Sequence, residues 1–231
     1  MSEIFSGVRG VLLDIEGTTT PIAFVHEVLF SYARTHVRKF LADNIDSDDV
    51  RADIALLRDE NAFDVNENSY PTLISEIESI GDYVEWLIDR DRKSTGLKSL
   101  QGKIWRQGYD DGSLKSQVFA DVAPALQRWH EAELQICIFS SGSVLAQKLL
   151  FAHTEAGDLT RYLSGYFDTN VGKKGDAESY REIATAMNLP ADQILFISDI
   201  EAELDAAKIA GMKTLLSIRP GTDFLTTDLR G

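Results

Sequence analysis

The segment VLLDIEGTT, residues 11–19, is a short apolar run that ends in two carboxylates, Asp14 and Glu16, followed by glycine and threonines. This pattern is typical of a buried strand in a parallel sheet, which delivers side chains at its carboxyl end. Two later apolar runs, 134–139 and 193–197, also end in small or acidic polar residues, and a fourth run, 213–218, closes the series. We therefore predict four parallel strands.

Helical patterns separate the later strands. They cover residues 144–151 behind a Ser143 cap, 177–187 behind Asp176, and 201–209 before Gly211. Alternation of strands and helices predicts an α/β fold with a Rossmann-like, doubly wound parallel sheet. Ligands of such sheets bind beyond the carboxyl ends of the strands, where the polar residues of each run lie.

Residues 21–116 interrupt this alternation, because they contain apolar stripes at helical spacing over 24–41 and 73–88 and no convincing strand. We predict an all-helical insertion at 21–116 in a core formed by 1–20 and 117–231. The acidic segments 43–53 and 59–69 are expected to be solvated turns or helix ends.

Composition limits the function. The 37 acidic residues exceed the 23 basic ones by 14, so the surface field opposes binding to nucleic acids and anionic membranes. A small anionic substrate requires a local positive charge, from a metal ion or a lysine. Cys137 is the single cysteine, which excludes an internal disulfide and a thiolate zinc site. With no membrane span or leader pattern, we expect a soluble, unprocessed, cytoplasmic protein.

The residues that follow the strands are candidates for chemistry. Asp14 and Glu16 can bind a hard cation, or can divide into a nucleophile and a neighbour that exchanges protons. An acidic solvated turn is the alternative for this segment alone. The run 140–143, SSGS, offers hydroxyls and backbone N–H groups at a helix N-terminus, which suits phosphate; capping by Ser141 or Ser143 would need no ligand.

Two further signals lie later in the chain. Residues 172–175, GKKG, place two ammonium groups in a glycine-flanked turn, an arrangement that is usually a solvated loop. The strand at 193–197 is followed by Asp199, with Glu203 four residues further on. Glu201 and Asp205 are interpreted as solvated acids near a helix N-terminus.

In this order and spacing the four signals resemble the four motifs of the haloacid dehalogenase superfamily. The resemblance implies that Asp14 is the nucleophile and Glu16 the general acid and base. It also implies that Ser140 and Lys174, rather than Lys173, bind the transferring phosphoryl group. Asp199 would be a ligand of Mg²⁺, and Glu203 would be a supporting acid.

Glu16 departs from the aspartate that most phosphatases of this superfamily have at its position. With DIEGTTTPIAFV (14–25), IFSSGSVLAQKLLF (138–151), GYFDTNVGKKGDAESYREIA (165–184) and IRPG (218–221), the chain resembles the enolase-phosphatases of methionine salvage, also called acireductone synthases. The resemblance implies that Ser140 and Ser141 contact substrate, and that the Glu16 carbonyl binds Mg²⁺ with Asp14 and Asp199. It also implies a helical cap and a monomer.

The reaction implied by this resemblance converts 2,3-diketo-5-methylthiopentyl-1-phosphate, through its enol, to 1,2-dihydroxy-3-keto-5-methylthiopentene (acireductone) and phosphate by way of an aspartyl phosphate. Another Mg²⁺-dependent small-metabolite phosphatase of the superfamily is the first alternative. A signalling receiver, which keeps its aspartyl phosphate as an output, is the second, although the first-strand position of Asp14 and the large insertion oppose it. Two candidates for the enolisation base stay open: Glu16 and a residue of the cap.

Overall fold

The computed structural model describes residues 5–67, 73, 77–90, 92 and 94–220. Within them the chain forms two compact units, one of residues 1–22 with 116–231 and the other of residues 23–115. The predicted boundaries at 20/21 and 116/117 lie within two residues of these divisions. The first unit is called the sheet unit below, and the second the helical unit.

The sheet unit contains five parallel strands in the order β3-β2-β1-β4-β5. The predicted α/β class with a parallel, doubly wound sheet is confirmed. The first apolar run, predicted as a strand at 10–13, agrees with the observed β1, and the other three predicted strands begin or end one or two residues away from the observed ones. The strands are β1 (Gly10–Leu13), β2 (Gln135–Phe139), β3 (Gly165–Phe167), β4 (Ile194–Ser198) and β5 (Lys213–Leu216).

The helices are numbered along the whole chain. Ser143 caps α6 by accepting a hydrogen bond from the Ala146 N–H, as the sequence predicts. The helical unit contains α1 (Ser31–Asn44), α2 (Asp48–Glu67), α3 (Ile77–Asp89) and α4 (Thr95–Asp110), and the sheet unit contains α5 (Val122–Glu131), α6 (Val144–Ala152), α7 (Ala177–Ala186) and α8 (Glu201–Ile209).

Successive strand residues point to opposite faces of the sheet. Both faces are buried because helices pack against each of them. Leu12 and Phe196 pack on one face with Tyr180 and Ile183 of α7. Val11, Leu195 and their neighbours pack on the other face with residues of α5 and α6. Burial on both sides explains why β1, β2 and β4 read as continuous apolar runs rather than as alternating patterns.

Strand β3 was not predicted. It has only three residues, all half-buried, at the edge of the sheet beside Cys137–Phe139 of β2. A short edge strand has no apolar run, so its pairing depends on its neighbour more than on its own sequence.

Among the described residues of the helical unit no strand occurs. A π-helix, Phe24–Phe30, precedes α1. The prediction of solvated turns or helix ends holds for most of 43–53, which comprises the end of α1, a turn and the start of α2. It is wrong for 59–67, which continue α2 and include buried residues, while 68 and 69 lie outside the described residues. Asp53 and Asp64 are buried because Lys103 pairs with the first, and Tyr83 and Arg92 bind the second.

Candidate active site

The polar residues after β1, β2 and β4 lie at one edge of the sheet. Strand β1 is central, with Leu13 opposite Ile138 of β2 on one side and Ile197 of β4 on the other. Asp14 follows β1, and its N–H donates to the Ile197 carbonyl at 3.0 Å. Because the three strands are parallel, Asp14, Ser140 and Asp199 leave the sheet in the same direction.

The Asp14 turn, residues 15–20, closes immediately after Asp14. The Ile15 carbonyl accepts hydrogen bonds from the N–H groups of residues 18, 19 and 20 at 3.2, 2.9 and 2.8 Å. The Thr19 hydroxyl donates to the Asp14 carbonyl at 3.1 Å. Gly17 adopts a φ of 75°, and a Cβ at this position would collide with the Asp199 carboxylate. The turn therefore needs glycine both for its conformation and for its approach to Asp199.

Lys174 joins two of the predicted acids. Its ammonium lies 2.5 Å from Asp14 Oδ1 and 2.7 Å from Glu203 Oε2, and its side chain is only 13% exposed. Burial disfavours the charged ammonium, but the charges of Asp14 and Glu203 outweigh this effect and raise the pKa of Lys174. The adjacent Lys173 is exposed.

The backbone of the lysine turn is anchored by helix α7. The Ser179 hydroxyl donates to the Lys173 carbonyl and the Tyr180 hydroxyl to the Lys174 carbonyl, each at 2.7 Å. The Tyr180 ring packs against the rings of Phe139 and Phe196 in the core. These contacts fix which of the two lysines turns inward.

Asp199 lies in an environment that opposes its charge. Burial, followed by the negative charge of Asp14, raises the pKa of Asp199 to about 6. The pKa of Glu203 is also raised. Burial is the largest cause and the charge of Asp14 adds to it, while Lys174 acts in the opposite direction. The Ser198 hydroxyl donates to Glu203 at 2.9 Å and accepts from the Ile200 N–H.

The donor set suits a hard divalent cation. Asp199 Oδ1 is buried and has no hydrogen-bond partner among the described residues, as expected of an oxygen whose partner is an ion. Carboxylate and carbonyl oxygens are the ligands that Mg²⁺ prefers. No group of three His, Cys, Asp or Glu side chains in residues 5–220, where described, has a metal-binding arrangement. A cation held there would therefore need a backbone carbonyl or substrate oxygens to complete its shell.

The serine turn, residues 140–143, has a defined shape. The Ser140 N–H donates to the Phe167 carbonyl of β3 at 3.2 Å, and the Ser140 hydroxyl accepts from the Gly142 N–H at 3.1 Å. Because this oxygen already accepts, its own hydrogen can donate to an anion. The buried Gln147 amide donates to the Gly142 and Phe167 carbonyls, both at 2.8 Å. Capping by Ser143 therefore leaves Ser140 available for a ligand.

The predicted site residues thus separate into three groups. Asp14, Lys174 and Glu203 are in direct contact. Asp199 contacts the Asp14 turn at Gly17. The remaining candidates lie on turns at the same sheet edge; they are Glu16, Ser140 and Ser141.

Three anchoring side chains were not among the site residues predicted from the sequence: Tyr180, Gln147 and Arg219. All three bind backbone carbonyls of site turns through hydroxyl, amide or guanidinium groups. Each lies inside a stretch that carries the family resemblance, and that location is the signal that could have identified them.

None of the helices in the part of the chain that the structure describes is long and apolar enough to cross a membrane.

Comparison with known proteins gives a consistent result. Residues 8–211 match the family model of the haloacid dehalogenase-like hydrolases. The chain is 56% identical to enolase-phosphatase E1 of Synechococcus elongatus, covering 93% of this chain and 90% of that protein. The Drosophila melanogaster protein of the same name is 46% identical, and the match covers 94% of this chain and 86% of that protein.

A solved structure of the UTR4 protein from Saccharomyces cerevisiae is similar throughout, with a TM-score of 0.76 and 35% identity. The match covers 93% of this chain and 91% of that one. A solved dehalogenase structure has a TM-score of 0.51 at 17% identity, which indicates a shared fold alone.

Proposed function

Because the chain belongs to the enolase-phosphatase E1 family of the haloacid dehalogenase-like hydrolases, we propose that it converts 2,3-diketo-5-methylthiopentyl-1-phosphate to acireductone and phosphate. The observation that supports this proposal most is the contact of Lys174 with both Asp14 and Glu203 at the carboxyl edge of the sheet, beside the serine turn. This arrangement combines an anionic nucleophile with donors for a phosphoryl group.

In the proposed phosphoryl transfer, a carboxylate oxygen of Asp14 attacks phosphorus and the bond from phosphorus to the ester oxygen breaks. Lys174, which contacts Asp14, offsets charge on the phosphoryl oxygens. The hydroxyls of Ser140 and Ser141 donate to those oxygens. Glu16 gives its proton to the leaving oxygen, then takes one from the water that hydrolyses the aspartyl phosphate and restores Asp14.

The proposed cofactor is Mg²⁺, held by Asp14 and Asp199 with the carbonyl of Glu16. When bound, it supplies charge neutralisation that lets two anions approach. The partnerless Oδ1 of Asp199 and the oxygen-only donor set support this assignment.

For the enolisation we propose that Glu16 is also the carbon base: its carboxylate takes the proton from carbon, the electron pair forms the enol C=C bond, and the neighbouring carbonyl oxygen becomes an enolate that is protonated from solvent. The proton lost lies on the carbon that bears the ester oxygen, one bond from the atom that Glu16 protonates in the next step. Glutamate reaches one methylene further than the usual aspartate, which favours a single carboxylate for both transfers. A base in the helical unit is the alternative, and we propose this unit as the cap of the enzyme.

A product analysis tests the proposed function. Incubation with the diketone phosphate and Mg²⁺ should release phosphate together with the ultraviolet absorbance of the enol product. Turnover of many simple phosphomonoesters without an enol product would instead favour a general phosphatase. An aspartyl phosphate that persists over many turnover times would favour a receiver.

We further propose that the protein acts as a monomer in the cytoplasm, without nucleic acid or membrane partners.

Two variants separate the steps. Asp14→Asn should abolish phosphate release but retain solvent deuterium exchange at the carbon, because the nucleophile is not needed for enolisation. Glu16→Gln should lose both. Exchange at the wild-type rate in Glu16→Gln would show that the carbon base lies elsewhere.

A further inference from the structure

Arg219, near the carboxyl end of the described chain, donates hydrogen bonds to a backbone carbonyl of the Asp14 turn. Its Nε and Nη2 groups donate to the Thr18 carbonyl at 2.9 and 2.6 Å, and Nη1 donates to Asp121 Oδ1 at 2.7 Å. The guanidinium also lies over the Phe119 ring, 4.4 Å from its centroid. One arginine therefore makes four contacts that connect the turn to two other segments.

Among the described residues, the Thr18 carbonyl accepts none of the backbone hydrogen bonds that close the turn. Three of those bonds converge on the Ile15 carbonyl and a fourth runs from the Gly17 N–H to the Thr20 carbonyl, so they shape the turn without fixing it to its surroundings. Thr18 is buried, and a buried carbonyl requires a partner. Arg219 supplies that partner, and the bond from the Phe119 N–H to the Thr19 carbonyl at 3.0 Å supplies a second attachment.

The position of this turn matters for the chemistry, because its members face the other half of the site. Gly17 lies against the Asp199 carboxylate, and Glu16 precedes it. A displacement of the turn would therefore move Glu16 and the Glu16 carbonyl relative to Asp199. Errors of about 1 Å in such placements cost on the order of 100-fold in rate.

We propose that Arg219 is a positioning residue that holds residues 15–20 against Asp199, so that Glu16 stays aligned with Asp14 through both proton transfers. This inference rests on the proposed function. Arginine suits the task better than lysine, since its planar fork donates twice to one carbonyl, reaches Asp121 and stacks on Phe119.

A purely structural role is the competing explanation. Arg219 would then only tether the residues after β5, and its loss would lower stability without a selective effect on catalysis. The two roles differ in what an added guanidinium ion would do, because an ion in the vacated site can restore the carbonyl contact but not the covalent tether.

The test compares Arg219→Ala and Arg219→Lys with two controls, Asp121→Asn and Arg181→Ala. Asp121→Asn weakens only an exposed ion pair, and Arg181 makes an exposed pair with Glu178 on α7. In Arg219→Ala we expect kcat to fall on the order of 100-fold with little change in KM. Millimolar guanidinium should recover part of that loss, and both controls should keep wild-type kcat.

Hydrogen exchange provides a readout independent of activity. Amides of the peptide spanning residues 15–20 should exchange faster in Arg219→Ala than in wild type, and guanidinium should slow them again. Arg219→Lys keeps the positive charge and replaces the alanine variant in the test if that variant does not fold. Its kcat should be lower than that of wild type, and added guanidinium should not raise it.

Wild-type kcat in Arg219→Ala, or lost stability with unchanged exchange in residues 15–20 and no recovery by guanidinium, would overturn the positioning role. An inactive wild-type protein would instead contradict the proposed function, which separates the two failures. Recovery of kcat and of amide protection together would support the inference.

Discussion

Replacing Asp199 by asparagine should stabilise the metal-free protein while abolishing its activity. The Asp199 carboxylate is charged at neutral pH in a place that opposes its charge, since burial and the charge of Asp14 raise its pKa to about 6. Asparagine keeps the shape of the side chain and has no charge to bury. The same substitution removes an oxygen that we assign to the cation.

The magnitude follows from linkage between protonation and folding. An aspartate in the unfolded chain has a pKa of about 3.9, so the folded value of about 6 is raised by about two units. At about 1.4 kcal/mol per unit this corresponds to at most about 3 kcal/mol. Asp199 is partly solvated, and screening reduces the expected effect to on the order of 1–2 kcal/mol.

The dependence of stability on pH has the opposite sign to that of a salt-bridged carboxylate, whose folded pKa is lowered. A raised folded pKa contributes stability that is fully present below about pH 4 and is lost as the pH rises to about 6. The free energy of unfolding of Asp199→Asn should therefore equal that of wild type near pH 4 and exceed it by the full expected amount at pH 8.

Urea unfolding in the presence of EDTA at both pH values measures this difference. Asp205→Asn is the matched control, because Asp205 is an exposed acid on α8 and its removal should leave the difference near zero at both pH values. Mg²⁺ should stabilise wild type more than Asp199→Asn. The reasoning is refuted if Asp199→Asn is no more stable than wild type at pH 8, or if its advantage does not shrink toward pH 4.

Three further outcomes are expected. Lys174→Met should lower kcat/KM on the order of 100- to 1000-fold, as for loss of one charged donor at a reacting centre, whereas the exposed Lys173→Met should stay near wild type in a phosphate-release assay; the reverse order would contradict the orientation of the turn. Tyr180→Phe should lower the free energy of unfolding in urea by about 1 kcal/mol, because the Lys174 carbonyl loses a hydroxyl donor. EDTA should abolish phosphate release, with recovery on adding Mg²⁺ but not Ca²⁺, whose looser shell misplaces the reacting oxygens; undiminished activity in EDTA would exclude the proposed mechanism.

Much of the sheet could be predicted from the sequence because parallel strands covered on both faces are nearly uninterrupted apolar runs. Strand β3 could not, since three half-buried residues carry no such signal. The omission matters for the site, because the Phe167 carbonyl of β3 binds both the Ser140 N–H and the Gln147 amide. Edge strands without their own apolar pattern are defined by the strand beside them.

The residue types of the site could be predicted from motif order, but their contacts could not. Lys174 is 160 positions from Asp14, and only the paired strands bring the two turns together. The choice between the two lysines followed from the family resemblance, since local sequence does not separate neighbours in a turn. The physical reason is the anchoring of both backbone carbonyls by Ser179 and Tyr180, which depends on tertiary packing.

The buried acids of the helical unit show a different limit. Asp53 and Asp64 belong to acidic stretches, and charged residues are rarely buried unless they are paired. Their partners, Lys103 and Arg92, are distant in sequence, so the stretches were interpreted as solvated. Pairing across helices reversed the expected exposure, and removal of either partner would leave a buried charge, which is strongly destabilising.

The charge balance at the sheet edge bears on the need for a cation. The acidic composition requires a local positive charge if a phosphate ester is to bind, and the sequence offered a lysine or a metal ion as its source. Lys174 does not suffice, because two carboxylates, those of Asp14 and Glu203, already contact it. Asp199 adds a third negative charge above about pH 6. An approaching phosphate would therefore meet a net negative site, and this imbalance favours a divalent ion bound by Asp14 and Asp199 as the charge that admits the substrate.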